Sequence, residues 1–133
     1  IETENNVNIM MQEYIYNMPR VMAAADVVIG RAGSSTCNEI AASGTPCILI
    51  PSPNVTANHQ ENNARALEEK GAAVVVLEKD CTAQTIMEKI QELLEDKARY
   101  KQMRKALHGL AVPDSAERVC DIMEKIIDQK ARR

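Results

Sequence analysis

A chain of 133 residues, 45% hydrophobic and 26% charged, fits one globular domain large enough to enclose a core. A formal charge of −3 and 2% aromatic residues, with neither Phe nor Trp, speak against a nucleic-acid partner, which needs clustered cations or stacking platforms. Cys37, Cys47, Cys81 and Cys120 lie far apart, form no CxxC pair and stand at no zinc spacing from His59 or His108, which predicts reduced, mostly buried thiols in a cytosolic protein.

Short apolar runs alternate with helical patterns over the first half, the signature of βα units around a parallel sheet. Val7 to Met11 reads as a strand leading into the loop Gln12–Asn17. Pro19 suits a helix start, and Val21 to Ala25 continues that helix. Val27-Val28-Ile29 is apolar on both faces, as buried parallel strands are. A second helix is predicted from about Thr36 to Ala42, stopped by Gly44, a good left-handed C-terminal residue. Pro46 opens the strand Cys47–Ile50, and Pro51 and Pro53 close it.

A polar loop from Ser52 to Asn58 precedes a helix from about His59 to Lys70, ended by Gly71. Ala72 to Leu77 then reads as a third buried strand. From Thr82 onward the periodicity is helical. Ile86, Ile90, Leu93 and Leu94 make one apolar stripe; Met103, Leu107 and Leu110 make another; Val119, Ile122, Met123, Ile126 and Ile127 line a third. Pro113 and Asp114 punctuate the last two helices, and the basic end Lys130–Arg133 reads as a solvated helix terminus. No apolar run approaches the roughly 20 residues of a membrane span, no signal peptide is visible, and an opening on Ile1 predicts a piece of something longer.

The chemistry concentrates in Gly30-Arg31-Ala32-Gly33-Ser34-Ser35-Thr36-Cys37-Asn38-Glu39. A strand ends, small residues follow, and a helix begins, so free backbone N–H groups and the positive end of a helix dipole converge on one spot suited to a phosphate. Gly33 lets a ligand approach the backbone, and Ser34, Ser35 and Thr36 leave room and add hydroxyls. Glu39, one turn inside, suits the hydroxyls of a ribose. The same spacing also fits a capping box, Thr36-x-x-Glu39, in which the acid only satisfies a backbone donor. The segment is neither a P-loop nor GxGxxG.

Asn58-His59-Gln60-Glu61-Asn62-Asn63 follows the next strand and rises from the same sheet edge. Gln60 and Asn63 share a helix face, and their amides suit sugar hydroxyls. Here the plain alternative is Asn58 as a cap with Glu61 three residues on. His59 fits either a base or an exposed loop residue. In Gln12–Met18, Ile15 between Tyr14 and Tyr16 suits the floor of a flat base, or an ordinary core contact.

These residues together resemble a known family. Ala25–Thr36, Glu39–Pro46, His59–Ala64 and Lys70–Ala73, in that order, are similar to the C-terminal half of the MurG family of peptidoglycan N-acetylglucosaminyltransferases. The resemblance implies an α/β, Rossmann-like parallel sheet flanked by helices, the C-terminal half of a GT-B glycosyltransferase fold, with residues 1–133 as the donor-binding domain. It implies UDP-N-acetylglucosamine as donor and, as acceptor, the lipid-linked muramoyl-pentapeptide intermediate at the inner face of the cell membrane.

By position, Glu39 matches the acid on the ribose hydroxyls, Ser34, Ser35 and Thr36 with Gly33 match the diphosphate loop, and Ile15 matches the residue whose backbone reads uracil. Gln60 and His59 match the pair on the transferred sugar; where some relatives carry two glutamines, His59 replaces the first. The family's acceptor domain, expected to supply the catalytic base, has no counterpart here, nor does a Gly-Gly-Ser loop of the donor half. The resemblance requires no cofactor and no metal, and no DxD pair is present. A non-catalytic nucleotide-sugar-binding subunit, a nucleotide-sugar epimerase and a helical interaction module are the rival expectations.

Overall fold

Cys47-Ile48-Leu49 carries no polar side chain, and all three residues are wholly buried. A strand sealed on both faces has to sit in the middle of a parallel sheet with helices over it. The computed structural model describes residues 9–55 and 58–131, and this strand is its centre. The elements in chain order are α1 (Met18–Ala24), β1 (Val28–Gly30), α2 (Ser34–Ser43), β2 (Cys47–Leu49), α3 (His59–Glu69), β3 (Val74–Val75), a 3-10 turn (Glu78–Asp80), α4 (Ala83–Glu95), α5 (Lys97–Leu110) and α6 (Ser115–Ala131).

Among the described residues the sheet has the order β1-β2-β3, all parallel. Val28 pairs with Cys47 and Gly30 with Leu49; Ile48 pairs with Val74. α2 and α3 are the crossovers that parallel neighbours require. α2 is the hub, packed on α1, α3 and α5, and α4 packs on α5. Leu93 of α4 and Met103 and Leu107 of α5 complete one core with Ile40, Ile48, Leu67 and Val74. Two long-range hydrogen bonds pin the layers: Thr45 Oγ1 donates to the Met22 carbonyl at 2.7 Å, and the Tyr100 hydroxyl donates to the Asp26 carbonyl at 2.9 Å.

Several boundaries differ from expectation. Val7 lies outside the described residues, and Ile9–Met11 form no strand: their side chains are exposed and no ladder partner stands beside them among the described residues. Among the described residues β1 lies at the edge of the sheet, and Ile29 is 43% exposed rather than buried on both faces. α2 begins at Ser34, two residues before Thr36. Regular pairing of the third strand contracts to Val74–Val75, although Val76 N still donates to the Leu49 carbonyl at 3.0 Å. Leu94 turns to solvent, away from the α4 stripe. The α6 stripe is there, but no described element covers it, and Val119, Ile122, Met123, Ile126 and Ile127 all stay exposed. Arg132 and Arg133 lie outside the described residues. The thiols are free, but only Cys37 and Cys47 are buried; Cys81 is half-buried and Cys120 is exposed.

Gly44 ends α2 at φ 64°, and its N–H bonds the Ile40 and Ala41 carbonyls. A Cβ there would collide with the His108 imidazole of α5 as well as strain the backbone. Gly44→Ala is therefore expected to lower unfolding free energy in urea by about 1–2 kcal/mol, the cost of a left-handed L-residue; an unmoved midpoint would show that the turn relaxes freely. A second expectation concerns thiols. Burial, helped by the neighbouring Cys37, pushes the Cys47 thiol up to about 12 from 9.0. In an alkylation time course at mildly alkaline pH, Cys120 should label first and Cys47 only on unfolding. Because the unfolded thiol ionises near 9 and the folded one does not, Cys47 costs no stability below pH 9.0 and an increasing amount between there and about 12. Prompt labelling of Cys47 in the folded chain would contradict the burial.

Candidate functional site

The parallel pairing of β1 and β2 brings two loops out of the sheet at one edge. Gly30 and Leu49 are partners, and Ile50 N donates to the Gly30 carbonyl at 2.9 Å, so Arg31–Gly33 and Pro51–Asn58 begin side by side. Ligands of open α/β sheets gather at this carboxyl edge.

Gly33 is the N-cap of α2, extended at φ −67° and ψ 149°, and no side chain caps the helix. The first intrahelical bond is Cys37 N to the Gly33 carbonyl at 2.9 Å. The amides of Ser34, Ser35 and Thr36 stand before it, three aligned donors at the positive end of the helix. The register removes the capping-box alternative. With Gly33 at the cap, Thr36 is the third helical residue and Glu39 the sixth, too deep to reach back to the start. Glu39 is exposed instead and lines a hollow of about 520 Å³ with Asn38, Leu110 and Val112, between α2 and the α5–α6 turn. Cys37 sits in this first turn, yet burial raises its thiol above the ordinary value, against the lowering a helix start gives.

The second corner is α3. His59 opens it and is exposed; Gln60, half-buried, accepts from Ser52 N at 2.9 Å through Oε1, which folds the loop after β2 back onto the helix. Asn58 holds the cap position in a left-handed conformation (φ 53°), but its side chain donates to Glu61 Oε2 at 2.8 Å rather than capping a backbone N–H. Asn63 joins the two corners: its Nδ2 donates to the Ala32 carbonyl at 3.0 Å and lies 3.5 Å from Ser34 Oγ.

Gly33, Ser34, Ser35, Thr36, His59 and Gln60 thus share one edge, and Glu39 lies a turn below it. Ile15 is placed apart, half-buried in the segment before α1. Beside it Tyr14 and Tyr16 pack edge to face at 4.8 Å, their rings mostly in solvent. Sequence reasoning did not single out Arg31, which donates to the Ile50 carbonyl at 3.2 Å and pairs with Glu78 after β3. Its partner lies 47 residues away, so no local pattern announces it.

Both members of the Arg31–Glu78 pair are about half exposed, so the bridge itself stabilises little, at most about 1 kcal/mol. Glu78→Gln is expected to leave the urea midpoint nearly unchanged, and the small difference should vanish as salt is raised. A loss of several kcal/mol would show that the pair is a structural keystone.

The family model of the glycosyltransferase family 28 C-terminal domain matches residues 2–119. The chain is 48% identical over 126 residues to the UDP-N-acetylglucosamine--N-acetylmuramyl-(pentapeptide) pyrophosphoryl-undecaprenol N-acetylglucosamine transferase of Acetivibrio thermocellus, covering 95% of this chain and 34% of that protein. It is 44% identical over 123 residues to the corresponding transferase 1 of Bacillus cereus, covering 92% and 34%. The chain therefore spans about one third of the length of these relatives. Among solved structures, Acinetobacter baumannii MurG superposes with a TM-score of 0.74 at 27% identity, over 84% of this chain and 32% of that one. The glycotransferase of kitacinnamycin shares the fold, with a TM-score of 0.63 at 24% identity over 82% of this chain and 27% of that one. The chain belongs to glycosyltransferase family 28 as its C-terminal domain, and its parallel sheet with flanking helices is the C-terminal half of a GT-B fold.

Proposed function

We propose that residues 1–133 are the donor-binding half of an inverting N-acetylglucosaminyltransferase, which moves N-acetylglucosamine from UDP-N-acetylglucosamine to the lipid-linked muramoyl-pentapeptide intermediate of peptidoglycan synthesis. The observation that carries the reading is the uncapped start of α2 at the carboxyl edge of β1, within a chain 44–48% identical to relatives named for this transfer. In this reading the amides of Ser34, Ser35 and Thr36, opened to close approach by Gly33, receive the diphosphate. Donors fixed in place before reaction stabilise a departing diphosphate without reorganising. Glu39 accepts from the ribose hydroxyls, the backbone of Ile15 reads uracil, and His59 with Gln60 holds the transferred sugar. The Gln60 amide nitrogen remains a donor after its oxygen has taken the Ser52 amide.

The acceptor and the catalytic base belong to the other half of the enzyme in this proposal. A lipid-linked acceptor places the reaction at the inner face of the cell membrane, and its product serves wall assembly, cell shape and division. The chain by itself is expected to bind donor and form no lipid-linked product.

Isothermal titration tests the site. UDP should bind and ADP should bind more weakly. Glu39→Ala should lower UDP affinity roughly ten- to hundredfold, because two hydrogen bonds to a charged acceptor are lost. Its melting temperature should stay near that of the parent, since Glu39 caps nothing. No heat with UDP, or normal affinity alongside collapsed stability, would overturn the assignment.

A further inference from the structure

We propose that Asn63 is the positioning residue that sets the Ala32–Ser34 loop for a diphosphate, an inference that rests on the donor-site reading above. Asn63 lies in the second turn of α3, 31 residues from Ala32 and 29 from Ser34. Asparagine is a poor helix former in a helix interior, so its presence there has no local explanation. Its contacts supply one.

An amide nitrogen carries two hydrogens, and Nδ2 directs them at two atoms of the loop, the Ala32 carbonyl at 3.0 Å and Ser34 Oγ at 3.5 Å. Ala32 is wholly buried, so its carbonyl needs a protein partner to hold this orientation. A trans peptide places its C=O and N–H on opposite sides. Anchoring the Ala32 carbonyl toward α3 therefore turns the Gly33 N–H away from α3 and fixes the peptide that leads into the cap of α2. The contact to Ser34 has a second consequence. A hydroxyl that accepts from an amide keeps its own hydrogen for another acceptor. Asn63 thereby makes Ser34 Oγ a donor on the side where an anionic oxygen would rest. Neither effect requires Asn63 to touch the ligand.

The test compares the chain with Asn63→Ala and with Asn63→Asp, which keeps the shape and removes the donor. UDP and uridine are titrated into each, and backbone order parameters are read by nitrogen-15 relaxation in the free proteins. UDP affinity is expected to fall about tenfold in Asn63→Ala, as loss of a partner to a buried carbonyl implies. It should fall further in Asn63→Asp, whose carboxylate faces both the Ala32 carbonyl and the diphosphate. Uridine affinity should stay at the parent's value in both, and backbone order parameters should fall at Gly33 and Ser34 more than in the rest of the chain. Unchanged UDP affinity overturns the proposal, and so does an equal loss for UDP and uridine alongside a lowered melting temperature, the mark of a merely structural role. Should the parent chain bind no UDP, the donor-site reading fails; the order parameters of Gly33 and Ser34 then still decide whether Asn63 sets the loop, a fall upholding it and unchanged values overturning it.

Discussion

The parallel pairing of β1 with β2 is the constraint on which the remaining geometry depends. Three residue pairs, with Val28 N on the Pro46 carbonyl below and Ile50 N on the Gly30 carbonyl above, set the ends of two strands level. Once they are level, the starts of α2 and α3 stand next to each other. A slip of one residue would turn Ile48 and its neighbours to the opposite faces and separate the two helix starts. The burial of Cys47, Ile48 and Leu49 forbids that slip, because a fully apolar strand has one favourable depth in the sheet. Core packing thus fixes the edge at which the two helix starts meet.

Side-chain straps then hold what the sheet has aligned. Arg31 ties the first loop to Ile50 and Glu78, Gln60 folds Ser52 back onto α3, and Asn63 holds Ala32. A typical net hydrogen bond contributes about 1 kcal/mol, small beside the core. The straps act where the core cannot reach. Loops at a sheet edge have few apolar contacts, so their conformations are selected by differences of this size. Thr45 does the same for α1, whose C-terminal carbonyl at Met22 it satisfies inside the core.

How much of this the sequence discloses depends on distance along the chain. β2, α2 and α3 are legible because an unbroken apolar run, Gly44 and Gly71 punctuate them, and both glycines do adopt positive φ. The stop of α2 is clearer than its start, since Gly33 caps without a side chain while Thr36 and Glu39 mimic a capping box three residues late. Ile9–Met11 shows that apolar residues alone do not make a strand without a neighbour to pair with. The stripe on α6 shows the converse limit: periodicity predicts the helix but not what, if anything, packs on it. The candidate residues could be picked out by type. Their mutual placement could not, because Arg31–Glu78 and Asn63–Ala32 bridge 47 and 31 residues.

The composition of the loop bears on what the proposed site does with a diphosphate. A site built on lysines would hold the product by net charge, and affinity would fall steeply with salt. Here the cation in the loop, Arg31, pairs with Glu78, and the start of α2 offers backbone amides and the hydroxyls of Ser34, Ser35 and Thr36. Dipoles at a helix start carry about half an elementary charge. In the proposed site such a charge would favour the charge that develops on a leaving diphosphate, and would bind the released nucleotide less tightly than fixed cations. Catalysis gains from interactions stronger in the transition state than in the bound product. In the proposed site an uncapped helix start, rather than a cluster of cations, would meet the diphosphate, an arrangement suited to letting a product go.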